Sequence, residues 1–204
     1  MSSTVTRKAA VTRKARTDLE HNRQLILDVA RASFAADGLD LPMREIARRT
    51  GLGVATLYRH FPARQDLLFA VLSAEVDRCE AEMRAALDDP DPGRALRTTV
   101  LAFGARQARD RGLNEALVGS HEAGAVFAAE RRSHAESFAV LVERAGAQGL
   151  LREGTTVDDA RIALRAIASF RALPASTAPA VISRLTNVLL AGLFADPARQ
   201  TAQG

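Results

Sequence analysis

Apolar positions recur every three to four residues over most of this chain, and the recurrence breaks at glycines and prolines. In NRQLILDVARASFAADG, Leu25, Ile26, Val29, Ala30 and Phe34 lie at helical spacing. Gly38 closes that run, as a glycine just past a helix end does. In LDLPMREIARRTGLG, Pro42 suits the first turn of a helix, Met43, Ile46 and Ala47 form a short stripe, and Gly51 ends it. VATLYRHF resumes the spacing through Val54, Leu57, Tyr58 and Phe61 until Pro62 interrupts. Two short helices joined by about four residues containing glycine make the helix-turn-helix pattern.

A longer run follows from Ala63 to Leu87, with Leu67, Leu68, Val71, Leu72, Val76, Cys79 and Met83 along its apolar side. The loop DDPDPG ends it and is too short for a free linker. GRALRTTVLAFGARQARD, a short LNEALVGS and GAVFAAERRSHAESFAVLVERAGAQG then read as helices, and the turn LLREGTT separates them from VDDARIALRAIASFRAL and APAVISRLTNVLLAGLF. Residues 1–20 lack an apolar period and are rich in Ser, Thr, Arg and Lys, which predicts a basic, disordered arm. The expectation is an all-α fold with an arm at 1–20, a three-helix helix-turn-helix domain at 21–66, and a larger helical bundle carrying the dimerisation helices at 67–204.

Composition agrees with packed helices, since 47% of the 204 residues are apolar and only 4% aromatic. Cys79 is the sole cysteine, which rules out an intramolecular disulfide and a cysteine-based zinc site and suits a reducing, cytoplasmic setting. The basic N-terminus has no apolar run behind it, and no stretch approaches the roughly 20 apolar residues of a membrane span, so no membrane partner is expected. Charge is informative when divided. Residues 1–66 hold 12 Lys and Arg against 7 Asp and Glu, a balance of +5, and residues 67–204 hold 16 against 17, a balance of −1. Positive charge gathered in one segment is the footprint of a polyanion partner, although a solubilising basic tail has the same composition.

On the third helix Val54, Leu57 and Phe61 are expected to face inward, leaving Ala55, Thr56, Arg59 and His60 outward with Tyr58 at the edge. Such a face carries hydroxyl, guanidinium and imidazole groups without a carboxylate, which suits the major groove of DNA. Gly53, Val54 and Ala55 keep its start slim, so readout there is by apolar contact with thymine methyls. Viewed alone, Tyr58 reads as a half-buried packing residue with its hydroxyl in water; the basic surroundings and the glycine turn shift it toward DNA binding.

Residues 22–72, and above all REIARRTGLGVATLYRHFPARQDLL, resemble the N-terminal domain of the TetR family of bacterial transcriptional regulators. The typical positions are Ile46, Ala47, Gly51, Thr56, Leu57, Tyr58, His60 and Phe61. The resemblance implies that Tyr58 and His60 hold backbone phosphates, that Thr56 contacts phosphate or base, and that Arg64 reaches a phosphate from the start of the next helix, where the helix dipole assists. Arg44 and Arg59 are the candidates for base contact, because a guanidinium can pair two donors with guanine O6 and N7. Two positions depart from the pattern: Gly53 stands where a capping Ser is common, and Pro42 where Thr or Ser is frequent.

By position, the last two helices resemble the pair that such proteins pack against a second subunit in a four-helix bundle. Ile162, Ile167, Phe170, Ile182, Leu185, Leu189 and Leu193 are the expected homodimer interface, although stripes of this kind also fill internal cores. A two-fold axis would set the recognition helices about 34–36 Å apart, one turn of DNA, or somewhat wider. Cys79, Met83, Phe103, Leu117, His121, Phe127, His134 and Phe138 offer soft apolar side chains with a few polar handles, as small-molecule pockets do.

Catalysis is not expected. His121, Glu122, Glu130, His134 and Glu136 lack the HExxH spacing, and neither a phosphate-binding glycine loop nor a serine nucleophile motif is present. No metal or cofactor is expected. The family resemblance thus implies a homodimeric repressor that holds a palindromic double-stranded DNA operator and is released by a small-molecule effector. Competing classes are a helical scaffold or interaction protein that keeps this fold without sequence-specific DNA binding, and an architectural DNA-coating protein.

Overall fold

The computed structural model describes residues 3–110, 112–114, 125–170, 173–174 and 176–195, with side chains from residue 17 onward. Among the described residues, the principal helices are, in order, α1 (Ser3–Asp37), α2 (Met43–Thr50), α3 (Val54–His60), α4 (Arg64–Asp88), α5 (Pro92–Arg109), α6 (Ala128–Ala147), α7 (Val157–Ser169) and α8 (Ala178–Leu193). The fold is all-α. Among the described residues, extended pairing is limited to one isolated antiparallel bridge between Leu151 and Phe194. No described helix is long and apolar enough to cross a membrane. Of the expected LNEALVGS helix, residues 113–114 are described and helical, and residues 115–120 lie outside the described residues.

The chain forms two compact units that meet in sequence at Ser73 and Ala74, inside α4. This division lies later than the 66/67 boundary expected from sequence. The reason is burial: Leu67, Leu68, Val71 and Leu72, the first apolar turns of α4, all belong to the core side of the division.

In the first unit α1 packs on α2 and α2 on α3. Ile26, Ala30 and Phe34 of α1, Met43, Ile46 and Ala47 of α2, and Leu57 and Phe61 around α3 are buried. The helix α1 starts at Ser3, so residues 3–20, expected as a disordered arm, are helical. Their Ala, Arg, Lys and Leu residues favour helix, and extending an existing helix costs far less than nucleating one. Pro42 is the residue before α2 rather than within its first turn. Gly51 takes φ 70°, ψ 5°, the left-handed conformation that turns the chain out of α2. The turn is held by Thr50, whose hydroxyl donates to the Ala47 carbonyl at 2.8 Å and accepts from the Leu52 amide at 3.2 Å.

In the second unit α5 packs against α6, α7 and α8. The helices α5 and α8 come close at Gly104, where a Cβ would lie 2.6 Å from Thr186 Oγ1. Only glycine admits that spacing without a shift of the β-branched Thr186. Two helix ends are closed by distant arginines, since Arg144 donates to the Leu87 and Asp89 carbonyls at 2.5 and 2.8 Å and Arg152 to the Ala191 and Phe194 carbonyls at 3.2 and 3.3 Å. At the start of α7, Thr156 and Asp159 form a reciprocal capping box that holds the Asp159 carboxyl below the usual carboxylate range.

Candidate DNA-binding surface and ligand cleft

The outward face of the first unit is built by α2, the glycine turn and α3. Neither helix has a side-chain cap: Pro42 and Gly53 stand at the N-cap positions with extended backbones and no side-chain hydrogen bond. At the start of α3 the Gly53 carbonyl accepts from the Thr56 amide at 2.8 Å and from the Leu57 amide at 3.2 Å, with no side chain closing the helix end. Leu57 alone anchors α3 from within, and Phe61 just beyond it is buried beneath the Arg23 guanidinium, 4.6 Å from the ring centroid. Val54, expected to face inward, is 44% exposed instead. With only seven residues in α3, one inward position suffices to seat the helix, and its first turn projects past the core.

Of the expected contact residues, Arg44, Val54, Ala55, Tyr58 and Arg59 are exposed, and Thr56, His60 and Arg64 are half-buried. The arginines of α2 divide into two groups. Arg48 makes a two-pronged pair with Glu45 at 2.8 and 2.6 Å, and Arg49 bonds Glu45 at 2.9 Å and reaches back to Asp37 at 2.5 Å and Ser33 at 3.1 Å. These two guanidinium groups lower the Glu45 carboxyl to a pKa of about 2. The one carboxylate of α2 is thus neutralised by neighbours, and Arg49 ties α2 to the end of α1. Arg44 has no acidic partner among the described residues.

On α3, Arg59 Nη2 donates to the Thr56 hydroxyl at 2.9 Å, so these two candidate contacts form one local unit. Arg64 sits 3.9 Å from the exposed carboxylate of Asp40, and its Nη2 is shielded without a hydrogen-bond partner. That placement differs from a freely extended phosphate hook. Alignment of Ala63 N–H with Asp66 Oδ2 at 2.8 Å fixes the turn from which Arg64 springs.

In the second unit, clefts of about 700, 520 and 260 Å³ adjoin one another, with Arg106 and His134 lining all of them. Cys79, Met83, Phe103, His134 and Phe138, expected from sequence as ligand residues, are brought together along these walls. Phe127 is buried but lines none of them, and Leu117 and His121 lie outside the described residues. Sequence reasoning missed Arg106, Gln107, Thr99 and Asn114. Arg106 falls three residues after Phe103, so helical spacing alone was the available signal.

Electrostatics in the clefts are those of a partly dry site. Arg106 is paired with Glu82 across from α4. His134 is pushed below its ordinary pKa, first by burial and then by the Arg106 charge, against a raising hydrogen bond with the Cys79 backbone. Burial pushes the Cys79 thiol up, so it stays protonated rather than becoming a nucleophile. No group of three metal-binding side chains occurs among the described residues.

The expected dimer face divides. Ile162 is 60% exposed and Phe170 also exposed, Leu185 and Leu189 are half-buried, and Ile167, Ile182 and Leu193 belong to the chain's own core. Both helices are apolar on more than one side. One stripe of α8 faces α5, and the opposite side carries Val188, 61% exposed and part of the apolar stripe read from the sequence of the final helix.

A helix-turn-helix presented on a helical unit, followed by a second helical unit with internal clefts, defines a DNA-binding regulator of the one-chain type. The first part of the chain, residues 26–71, matches the family model for bacterial regulatory proteins of the tetR family, and residues 91–195 match that for the SbtR-like transcriptional regulator C-terminal domain. A TetR transcription regulatory protein from Mycobacterium vanbaalenii is 32% identical with a TM-score of 0.66, over 89% of this chain and 99% of that one. For a TetR regulator from Streptomyces coelicolor the identity is 30% and the TM-score 0.63, over 84% and 98% of the two chains. An HTH-type transcriptional regulator of Staphylococcus aureus (strain USA300) is 35% identical over 75 residues, 36% of this chain, and the match spans 40% of the relative's length. The chain belongs to the TetR family of bacterial transcriptional regulators. This is a family of regulators rather than enzymes.

Proposed function

We propose that this chain is a ligand-responsive repressor that binds a palindromic operator as a homodimer and releases it when a small molecule enters the second unit. The observation that carries the reading is the outward face of α2 and α3, where Arg44, Tyr58 and Arg59 are exposed and the nearby Glu45 is neutralised by Arg48 and Arg49. A surface with free donors and no free carboxylate suits the acceptor-rich major groove. Arg44 and Arg59 read bases, Val54 and Ala55 touch thymine methyls, and Tyr58, His60 and Arg64 hold phosphates, with Thr56 orienting Arg59 through their 2.9 Å bond. Pairing of two chains covers Ile162, Phe170 and Val188, large apolar side chains left in solvent by one chain.

Release follows if the effector binds more tightly to a state whose recognition helices no longer match successive grooves, and the shift is bounded by that difference in affinity. The helix α4 supplies residues to both units, which makes it the covalent link between effector and operator.

Selection of random duplexes on the purified protein, followed by sequencing, tests the reading. A regulator returns one symmetrical sequence preferred by roughly 10³ or more over bulk DNA at fixed salt. Arg44→Ala and Arg59→Ala should then relax preference at single positions, at about 1–3 kcal/mol each, whereas Tyr58→Phe and Arg64→Ala should weaken all sequences alike. Equal binding to unrelated duplexes would leave an architectural or scaffold role in place of regulation.

A further inference from the structure

The smallest of these clefts, about 260 Å³, is lined by two residues that each carry a shielded oxygen without a hydrogen-bond partner among the described residues. Gln107 is only 4% exposed, and its Oε1 has no hydrogen-bond partner among the described residues. Glu130 is half-buried, yet its Oε2 is shut off from solvent and likewise unpartnered. A shielded acceptor without a donor bears its full desolvation penalty, and native interiors leave few such groups without a functional reason. Gln107 and Glu130 line the same cleft, and both oxygens can only accept, one as an amide carbonyl and the other as a carboxylate.

We infer that the small molecule bound by this unit is an organic ammonium: an apolar body with a cationic, hydrogen-bond-donating head directed at Gln107 Oε1 and Glu130 Oε2. The inference rests on the ligand-responsive reading above and names the chemistry of its effector. An ammonium brings several donors to a cleft whose lining holds two unpaired acceptors, and bonds to ionised partners are roughly twice as strong as neutral ones. An anion is the evident rival, because Arg106 and Arg131 line the same cleft. Arg106, however, is already paired with Glu82, and Arg131 is an exposed side chain with interactions of its own. An anionic head would have to displace an existing partner and would meet the bare Glu130 oxygen. The apolar body has a place beside Phe103, which lines both this cleft and the larger one that Met83 and Phe138 border.

Three probes that share a phenyl body separate the cases: 2-phenylethylammonium, 2-phenylethanol and 3-phenylpropionate, titrated calorimetrically into the full chain. The ammonium should bind about tenfold or more tightly than the other two, and Glu130→Gln should bring it to parity with the alcohol. Gln107→Met should weaken the ammonium while raising the melting temperature of the unliganded protein, since it removes an unsatisfied buried oxygen; circular dichroism checks that both variants keep their helices. Propionate binding as tightly as the ammonium, no ammonium binding at millimolar concentration, or an unchanged preference in Glu130→Gln would overturn the assignment. So would a lower melting temperature in Gln107→Met. Operator affinity is measured in the same samples: ammonium binding that leaves it unchanged supports the cleft assignment and removes induction from the proposed function.

Discussion

The two compact units dispose of their polar and apolar side chains in opposite senses. In the first, Phe34, Leu57, Phe61 and Leu72 close the core, and the exposed side chains of Arg44, Tyr58 and Arg59 stand outside. In the second, Arg106, Gln107 and His134 turn toward internal clefts, and Ile162 and Val188 remain in solvent. The first unit is complete as a packed object and meets its partner with a surface. The second leaves inner space and outer apolar skin, which suits a molecule that enters and a protein face that covers.

The difference predicts how each unit breaks. The largest effect is expected at Leu57, fully buried and the only inward residue of α3. Leu57→Ala should cost about 2–5 kcal/mol in chemical denaturation and abolish DNA binding, while ligand titration of the second unit's clefts still gives a saturable signal. Loss of both functions together would show that the units do not fail separately.

Gly104→Ala is the corresponding lesion in the second unit. The added methyl would meet Thr186 Oγ1 at 2.6 Å, so overpacking of α5 against α8 should cost about 1–3 kcal/mol, read as a lower denaturation midpoint. The double substitution Gly104→Ala, Thr186→Ser, which removes the Thr186 methyl but keeps the hydroxyl in the way, should recover only part of the loss.

Helix capping sharpens the contrast further. Thr156→Ala removes the capping box of α7 and should cost about 1 kcal/mol in thermal unfolding. Gly53→Ser adds a cap where α3 has none, at a backbone φ of −66° and with the nearest side-chain atom 4.0 Å from the new Cβ, and should gain a few tenths of a kcal/mol. It should also tighten binding to every duplex, because the new hydroxyl lies at the start of the recognition helix.

The smallest expected effect concerns pH. The folded pKa of His134 lies below its unfolded value of about 6.5, so the unfolded chain binds the extra proton first as pH falls. Stability contributed by neutral His134 is therefore full above about pH 6.5 and declines as pH drops through that value toward the folded pKa. Melting curves from pH 7.5 to 5 should show a steeper loss in the wild type than in His134→Gln. The Glu45 contribution, with its pKa near 2, is lost only in much stronger acid and stays out of this window.

The sequence by itself determined the helices of the first unit from residue 22 onward, and their turn, but not the helical extension of α1 over residues 3–20. Periodicity at Ile26, Ala30 and Phe34, the stops at Gly38 and Gly51, and the exposed string around Tyr58 are properties of neighbouring residues, which local physics decides. Of the eight ligand residues expected from sequence, Cys79, Met83, Phe103, His134 and Phe138 line the clefts, Phe127 lines none of the three, and Leu117 and His121 lie outside the described residues. Only the tertiary structure decided which side of an all-round apolar helix became interior, sending Ile167, Ile182 and Leu193 inward and leaving Ile162 and Val188 outside. It alone joined Arg106 to Glu82, Arg49 to Asp37, and Arg144 to the end of α4, because those partners lie 24, 12 and more than 50 residues apart. Charged side chains at such separations carry no local signature of whom they will meet, and so the free donors of the recognition face could be counted only once the folded chain had paired the rest.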